Sequence, residues 1–347
     1  MKTIVHMLFN MKLGGTESML IDIMRQQVEY GFRVVLVLIN DEHDVEMINR
    51  IDSRVEIKYV GRKEGSRNLL HLLRLNWLLL RLNPMVIHVH MVRALGMLFV
   101  LRQRIVFTAH CLGIDSHYIA KAKRVFAISN AVKDNIMVLH GIDSTVVYNG
   151  VDTTAIKRNH IHGNEQFKIV QVGRLFKETK GQDILIEAVA KLRQQGVTNI
   201  TVDFIGDGAS MVELKQLAQE RGLANCVNFL GAMPRKNIYE KLCQYDLLVQ
   251  PSRDEGFGLT VAEGMAATIP VLVSNLAGPM EVIAGGRYGN IFELGANEVD
   301  NCAKQIAEIK GSYSRYKHLA EGKALDFVKA NFDIARVAYK YIEEYKI

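Results

Sequence analysis

The chain is organised by a rhythm that leaves few folds open to it. Short, almost continuously apolar runs rich in β-branched residues alternate with helix-patterned segments such as 16–30, 66–82 and 130–140. Seven such runs come first: TIVHMLFN, RVVLVLIN, VEIKYV, MVIHVH, RIVFTAH, RVFAIS and TVVYNG. Six more follow a break: FKIVQV, ITVDFIG, CVNFLG, YDLLVQ, PVLVS and GNIFEL. A strand apolar along its whole length is buried on both faces. In a chain of alternating strands and helices this means a parallel sheet between helical layers. The break, DTTAIKRNHIHGNEQ at 152–166, is polar and aperiodic and reads as a linker. The 347 residues therefore predict two doubly wound α/β domains, 1–160 and 161–330. Residues 313–346 keep a helical pattern, and the segment 331–347 is expected to form a helix packed back on the first domain.

What interrupts the apolar runs excludes other classes. His6 breaks the amino-terminal run and no A-x-A-like site follows, so a first strand fits better than a signal peptide. LLHLLRLNWLLLRL contains Arg74 and Arg81 and falls short of the roughly 18 apolar residues a membrane span requires. Cys111, Cys226, Cys243 and Cys302 lie far apart with no C-x-x-C pair. That spacing argues against a zinc site or a disulfide framework and for reduced thiols in a cytoplasmic protein.

Charge is spread unevenly. Residues 1–165 carry 21 Lys and Arg against 15 Asp and Glu, whereas residues 166–347 carry 22 of each, so the whole excess of +6 lies in the first half. From 62 to 104, Arg62, Lys63, Arg67, Arg74, Arg81, Arg93, Arg102 and Arg104 face a single acid, Glu64. The asymmetry points to an anionic partner on the first domain, with a merely solvated surface as the alternative. Arg67, Arg74 and Arg81 are spaced seven apart beside leucines and Trp77, as in an element lying on an anionic membrane surface. A crossover helix covering the sheet is the other reading. No nucleic-acid partner is expected.

Ligands of open α/β sheets sit beyond the carboxyl ends of the strands. After the first run, NMKLGGTES offers Gly14 and Gly15 for close backbone approach and Thr16 as a helix start, although any βα turn can use Gly-Gly. His110 closes RIVFTAH, where it can bond a ligand hydroxyl or be satisfied by neighbouring backbone. His88 and His90 share one strand face, but without a third ligand at a useful spacing a structural role fits better than a metal. IGDGAS is followed by Met211 where a dinucleotide fingerprint needs its third glycine, and no G-x-x-x-x-G-K-[ST] occurs. Past FKIVQV, Arg174 and Lys180 reach one strand end, suited to bidentate and point-charge contact with phosphate; pairing with Glu178 is the alternative.

The most informative stretch is PSRDEGFGLTVAEGMA at 251–266. After YDLLVQ, a glycine-flanked loop enters a helix whose first amides belong near 258–260, a natural phosphate site. Glu255 stays in the loop and Glu263 lies on the helix. Carboxylates repel a phosphate, so these two are placed to accept hydrogen bonds from hydroxyls on either side of it, a sugar at one end and a ribose at the other.

Together, EGFGLTVAE with its E-x7-E spacing, GRLFKETKG, the early Gly-Gly, TAH and YNGVD resemble the retaining glycosyltransferases of family four. That family has the GT-B fold, two doubly wound Rossmann-like domains facing across a cleft, and the resemblance covers nearly the whole chain. It implies that Glu255 contacts the donor sugar, Glu263 holds the ribose, and Arg174 and Lys180 bind the diphosphate, with Lys177 as the alternative to Lys180. Phe257, Gly258, Leu259 and Thr260 would contribute backbone amides, and Gly15 and His110 would approach the donor from the first domain. Catalytic roles fall to Glu255, Arg174, Lys180 and His110.

The implied reaction moves a hexose-type unit from a nucleotide sugar, UDP-linked by preference or GDP-mannose, to a glycan or lipid-linked acceptor hydroxyl with retention. It needs neither metal nor cofactor, and the departing phosphate helps take the acceptor proton. Bacterial cell-surface polysaccharide or glycolipid synthesis, at the inner membrane face, is the expected setting. The rivals are a sugar-nucleotide epimerase, which would need further carboxylates, and a non-catalytic glycan- or nucleotide-binding protein.

Overall fold

The computed structural model describes residues 1–158 and 166–346. Each of the thirteen apolar runs contains a strand. In the first half these are β1 (Thr3–Leu8), β2 (Arg33–Asn40), β3 (Glu56–Arg62), β4 (Val86–Val89), β5 (Ile105–Ala109), β6 (Arg124–Ala127) and β7 (Thr145–Val146). The second half holds β8 (Phe167–Val172), β9 (Ile200–Ile205), β10 (Val227–Phe229), β11 (Leu247–Gln250), β12 (Val271–Ser274) and β13 (Asn290–Phe292). They form two sheets, ordered 3-2-1-4-5-6-7 and 10-9-8-11-12-13, with every pairing parallel. Strand order reverses between β1 and β4 and again between β8 and β11. Such switch points are where the loops of a doubly wound sheet diverge and leave room for a ligand.

The chain divides into two compact units, Met1–Gly150 with Phe332–Ile347, and Val151–Asn331. Part of the segment expected as a linker belongs to the second unit. Thr153 and Ile156 are buried, the Asp152 side chain accepts from the Thr154 and Ala155 amides, and Arg158 Nε donates to Ala266 O at 2.9 Å. Its polarity is spent on turn bonds at Asp152 and on the long-range bond of Arg158. Residues 159–165 of that segment lie outside the described residues.

Residues 313–331 stay with the second unit, and the chain rejoins the first only at Phe332. There the helix Ile334–Glu344, capped by Asp333, buries Ile334, Val337, Ala338, Tyr341 and Ile342 in a core with Ile4, Val86, Val106 and Phe126 of the sheet. Gly150 makes the approach possible, since a Cβ there would stand 2.5 Å from Ile334 Cδ1.

The helix Leu69–Leu82 departs from a simple sheet cover. Asn68 caps it, accepting from the Leu70 amide, so Arg67 lies before the helix rather than on it. Leu75, Asn76 and Leu79 are its buried face. Leu69, Leu70, Leu73, Trp77 and Leu80 form a second apolar face that is exposed, Leu69 at 70% and Trp77 at 57%. Among the described residues no helix is long and apolar enough to cross a membrane.

Candidate active site

In the second unit β8 and β11 are neighbours, so the loops leaving their carboxyl ends run side by side. Backbone bonds join them, with the Arg253 and Asp254 amides donating to Thr179 O at 2.8 and 3.1 Å. Gly181, at φ +63, passes so near that a Cβ would stand 1.9 Å from Pro251 O. Arg253 ties the junction from outside, with two bonds of 2.9 Å to Asp183 and one of 2.6 Å to Glu298.

The result is that Lys180 Nζ meets Glu255 Oε2 at 2.7 Å, their side chains 22% and 19% exposed. Gln250 Nε2 donates to the same oxygen at 2.8 Å, and the Phe257 amide donates to Oε1 at 3.4 Å. Lys177 turns instead to Glu213, so of the two lysines in KETKG it is Lys180 that reaches the carboxylate. Arg174 is exposed, its guanidinium 5.6 Å from the centre of the Phe176 ring. Among the described residues neither Arg174 nor Lys180 pairs with Glu178.

The helix Leu259–Ala266 follows Gly258, which takes the left-handed conformation at φ +103. Its first bonds run from the Val261 and Ala262 amides to Gly258 O at 3.0 and 3.2 Å. The Leu259 and Thr260 amides thus belong to the turn that a helix leaves without intrahelical partners. Phe257 and Gly258 are buried, Leu259 and Thr260 partly so. Glu263 is enclosed, and its Oε1 accepts from Arg235 Nε and Tyr239 OH, each at 3.2 Å. The two glutamates are therefore not equivalent. One is paired to a lysine in the loop, while the other is held by an arginine and a tyrosine of the helix Arg235–Lys241.

Gly15 and His110 belong to the first unit. The helix Gly15–Glu29 starts one residue earlier than expected, with extended Gly14 at the cap and no side-chain cap, so Thr16 lies in its first turn instead of capping it. His110 follows β5 directly. In the same sheet His6 of β1 stands in register with His88 of β4. His6, His88 and His90 bring ligating atoms within 4.8 Å of one another. This is the third histidine that local spacing did not reveal. All six of their ring nitrogens already have protein partners, which makes the cluster a hydrogen-bond network. Burial lowers His6 and His110 to about 4 and holds His88 and His90 well below the usual imidazole value. All four are neutral at neutral pH.

Residues 13–155 match the family model Glycosyltransferase Family 4, and residues 152–324 match Glycosyl transferases group 1. The chain belongs to glycosyltransferase family four. It is 26% identical over 242 residues to the GPI3 subunit of phosphatidylinositol N-acetylglucosaminyltransferase from Saccharomyces cerevisiae, covering 64% of this chain and 50% of that one. It is also 26% identical over 198 residues to lipopolysaccharide 1,6-galactosyltransferase from Salmonella typhimurium, 55% of this chain and 54% of that one. The chain thus spans about half the length of the curated relatives it matches. Its fold is that of HepE from Anabaena, crystallised with UDP and glucose, at a TM-score of 0.81 and 22% identity over 98% of each chain.

Sequence reasoning does not single out four residues that shape this candidate site. Gln250 is one polar letter at the end of an apolar run, and that position was its only signal. Arg235 and Tyr239 reach Glu263 from 28 and 24 positions away, with no local pattern to announce them. Gly278 supports the Glu255 loop, since a Cβ there would stand 2.7 Å from Glu255 O.

Proposed function

We propose that this family-four chain transfers a hexose-type sugar from a nucleoside diphosphate sugar to an acceptor hydroxyl, with retention at the anomeric carbon and without a metal. The observation that carries the reading is the Lys180–Glu255 pair, fixed by Gln250 at the β8/β11 switch point. As the glycosidic bond breaks, charge grows on the departing diphosphate. Lys180, Arg174 and the Leu259 and Thr260 amides are preorganised donors for that charge. Glu255 accepts from hydroxyls of the transferred sugar and Glu263 from the ribose, its carboxylate oriented by Arg235 and Tyr239. HepE, of the same fold, was crystallised with UDP and glucose, which favours a UDP-sugar over GDP-mannose. The metal-free reading rests on the lack of a D-x-D-type motif in the sequence.

The acceptor reading rests on the helix Leu69–Leu82. Its exposed apolar face lies beside exposed Arg74 and Arg81, with Arg67 just before it, an arrangement that suits contact with an anionic membrane carrying a lipid-linked acceptor. Bacterial cell-surface polysaccharide or glycolipid synthesis is the setting this supports.

A donor panel of UDP-glucose, UDP-galactose, UDP-N-acetylglucosamine and GDP-mannose tests the proposal. Nucleotide release should rise with a lipid-linked acceptor, and NMR of the product should show the donor's anomeric configuration. An epimerised donor with no transferred sugar, or an inverted product, would replace this reading.

A further inference from the structure

Three buried glutamines of the second unit each hold a different candidate site residue. They are Gln171 of β8, Gln250 at the end of β11 and Gln182 at the start of the helix Gln182–Gln194. Gln171 Nε2 donates to Lys180 O at 2.8 Å and Gln182 Nε2 to Arg174 O at 2.9 Å, as Gln250 Nε2 donates to Glu255 Oε2 at 2.8 Å. Carbonyl and carboxylate oxygens only accept, so the end of each carboxamide that faces them must be its amino group. The other end is then fixed as well. Oε1 of all three glutamines is buried and has no hydrogen-bond partner among the described residues.

A buried acceptor without a partner weakens a fold, and a methionine or leucine at the same place would avoid the penalty. What the carboxamide provides instead is a donor that carries no charge. Neither an ionised glutamate nor a leucine can donate to a backbone carbonyl, and a lysine or arginine would add a further cation beside Lys180 and Arg174. At these two residues the bond falls on the backbone, which leaves the charged end of each side chain to other partners. It fixes the peptide from which the side chain leaves. Lys180 ends the turn Lys177–Lys180, directly before Gly181 in the left-handed conformation, and Arg174 O also accepts from the Phe176 amide at 3.0 Å.

We propose that Gln171 and Gln182 are positioning residues for the transfer reaction, the first acting through Lys180 and the second through Arg174. Each carboxamide holds the backbone of one cation, so that its charge meets the departing diphosphate in a preset place. The roles of the two cations rest on the donor reading given above, whereas the two bonds stand on the second unit alone.

Methionine has about the length of glutamine without its donor, so the test uses Gln171→Met and Gln182→Met, each alone and combined with Lys180→Ala or Arg174→Ala respectively. With the nucleotide sugar that turns over in the panel, each methionine variant should lose about tenfold in kcat/KM, and inorganic pyrophosphate should inhibit it about tenfold more weakly. KM for the acceptor and the melting temperature should stay near wild type. In Lys180→Ala the further loss from Gln171→Met should be below about twofold, and likewise for Gln182→Met in Arg174→Ala, because the residue acted through has gone. A loss retained in full there, or a lower melting temperature with unchanged pyrophosphate inhibition, assigns the glutamine to the fold and overturns its positioning role. Should a methionine variant fail to fold, Gln171→Glu or Gln182→Glu, of the same shape, takes its place, and wild-type kinetics in it overturn the proposal because an ionised carboxylate cannot donate. Near-native rates and pyrophosphate inhibition in both Lys180→Ala and Arg174→Ala are a different result: they overturn the donor reading and, with it, the role of the glutamines.

Discussion

Lys180 Nζ and Glu255 Oε2 meet at 2.7 Å, joining two loops that backbone bonds between Thr179 and residues 253–254 already hold together. Partly exposed ion pairs of this kind contribute little to stability, about 0–1 kcal/mol. The consequence of the pair is positional. In the free protein each charge is compensated, and under the proposed function a diphosphate beside Lys180 would leave Glu255 next to it for the sugar hydroxyls.

Lys180→Ala and Arg174→Ala are each expected to lower turnover by about 100-fold or more, the usual cost of losing one donor to a developing anion. Lys177→Ala should stay close to wild type, because Lys177 is engaged with Glu213. Glu255→Gln should impair transfer far more than it lowers the melting temperature. Steady-state kinetics and thermal melts of the four variants check this. Near-native rates for Lys180→Ala and Arg174→Ala would place the diphosphate elsewhere.

Gln250→Ala removes one of the two side-chain donors on Glu255 Oε2. The expected loss in kcat/KM is about tenfold, equivalent to one hydrogen bond to a charged group at about 1.5 kcal/mol. A change below twofold would show that Lys180 alone holds the carboxylate.

The sheets and the site were legible to different degrees for physical reasons. A strand buried on both faces must be apolar throughout, and that requirement wrote β1, β2, β4, β5, β11 and β12 into the sequence as runs, whereas β3 and β7 are only partly buried and show a weaker signal. Glu255 and Lys180 were legible because site residues follow strand ends. The partners of a site come from across the fold: Arg235 finds Glu263 over 28 positions, and His6 finds His90 over 84. Only strand order brings those together. The helix Leu69–Leu82 shows another limit, since a dense apolar pattern does not say whether one face is covered or two are apolar.

Activity should survive a chelator. The proposed phosphate site uses Lys180, Arg174 and backbone amides for the role that a divalent cation plays elsewhere. Nucleotide-sugar turnover in excess EDTA is expected to remain within about twofold of the untreated enzyme. Loss of activity that magnesium or manganese restores would contradict this arrangement of charges.

The histidine network should make the first unit acid-sensitive. His6, His88 and His90 are buried and have folded values lowered from an unfolded value near 6.5, His6 to about 4. Between those values the unfolded chain binds more protons than the folded one. The stabilisation is therefore complete above about pH 6.5 and is lost as pH falls toward 4, by up to about 1.4 kcal/mol per pH unit for each histidine. Amide-exchange protection factors in β1, β4 and β5 should fall between pH 7.5 and 5.5, with β8 and β9 as the internal reference. Equal behaviour of the two sheets would mean that the imidazoles are not held neutral by burial.

The exposed face of Leu69–Leu82 gives the membrane proposal its sharpest test. On a helix at 100° per residue, Leu69, Leu70, Leu73, Trp77 and Leu80 share one arc, Arg74 and Arg81 flank it, and Leu75 and Leu79 point the opposite way into the fold. Arg81 stacks 4.9 Å from the Trp77 ring centre, so cation and aromatic would reach a headgroup layer together. A helix that only covered a sheet would bury most of its leucines, whereas this one exposes Leu69, Leu70, Leu73 and Leu80. Each arginine near an anionic surface contributes about 1 kcal/mol, so replacing Arg67, Arg74 and Arg81 by Gln should weaken vesicle binding by roughly 100-fold. Sedimentation with liposomes should show binding that requires anionic lipid and weakens as salt shortens the screening length below about 10 Å. Trp77→Ala should reduce binding to the same vesicles by loss of apolar insertion, with its salt dependence kept. Equal binding to neutral and anionic vesicles, or an unaffected triple variant, would remove the membrane from the proposal and leave a soluble acceptor.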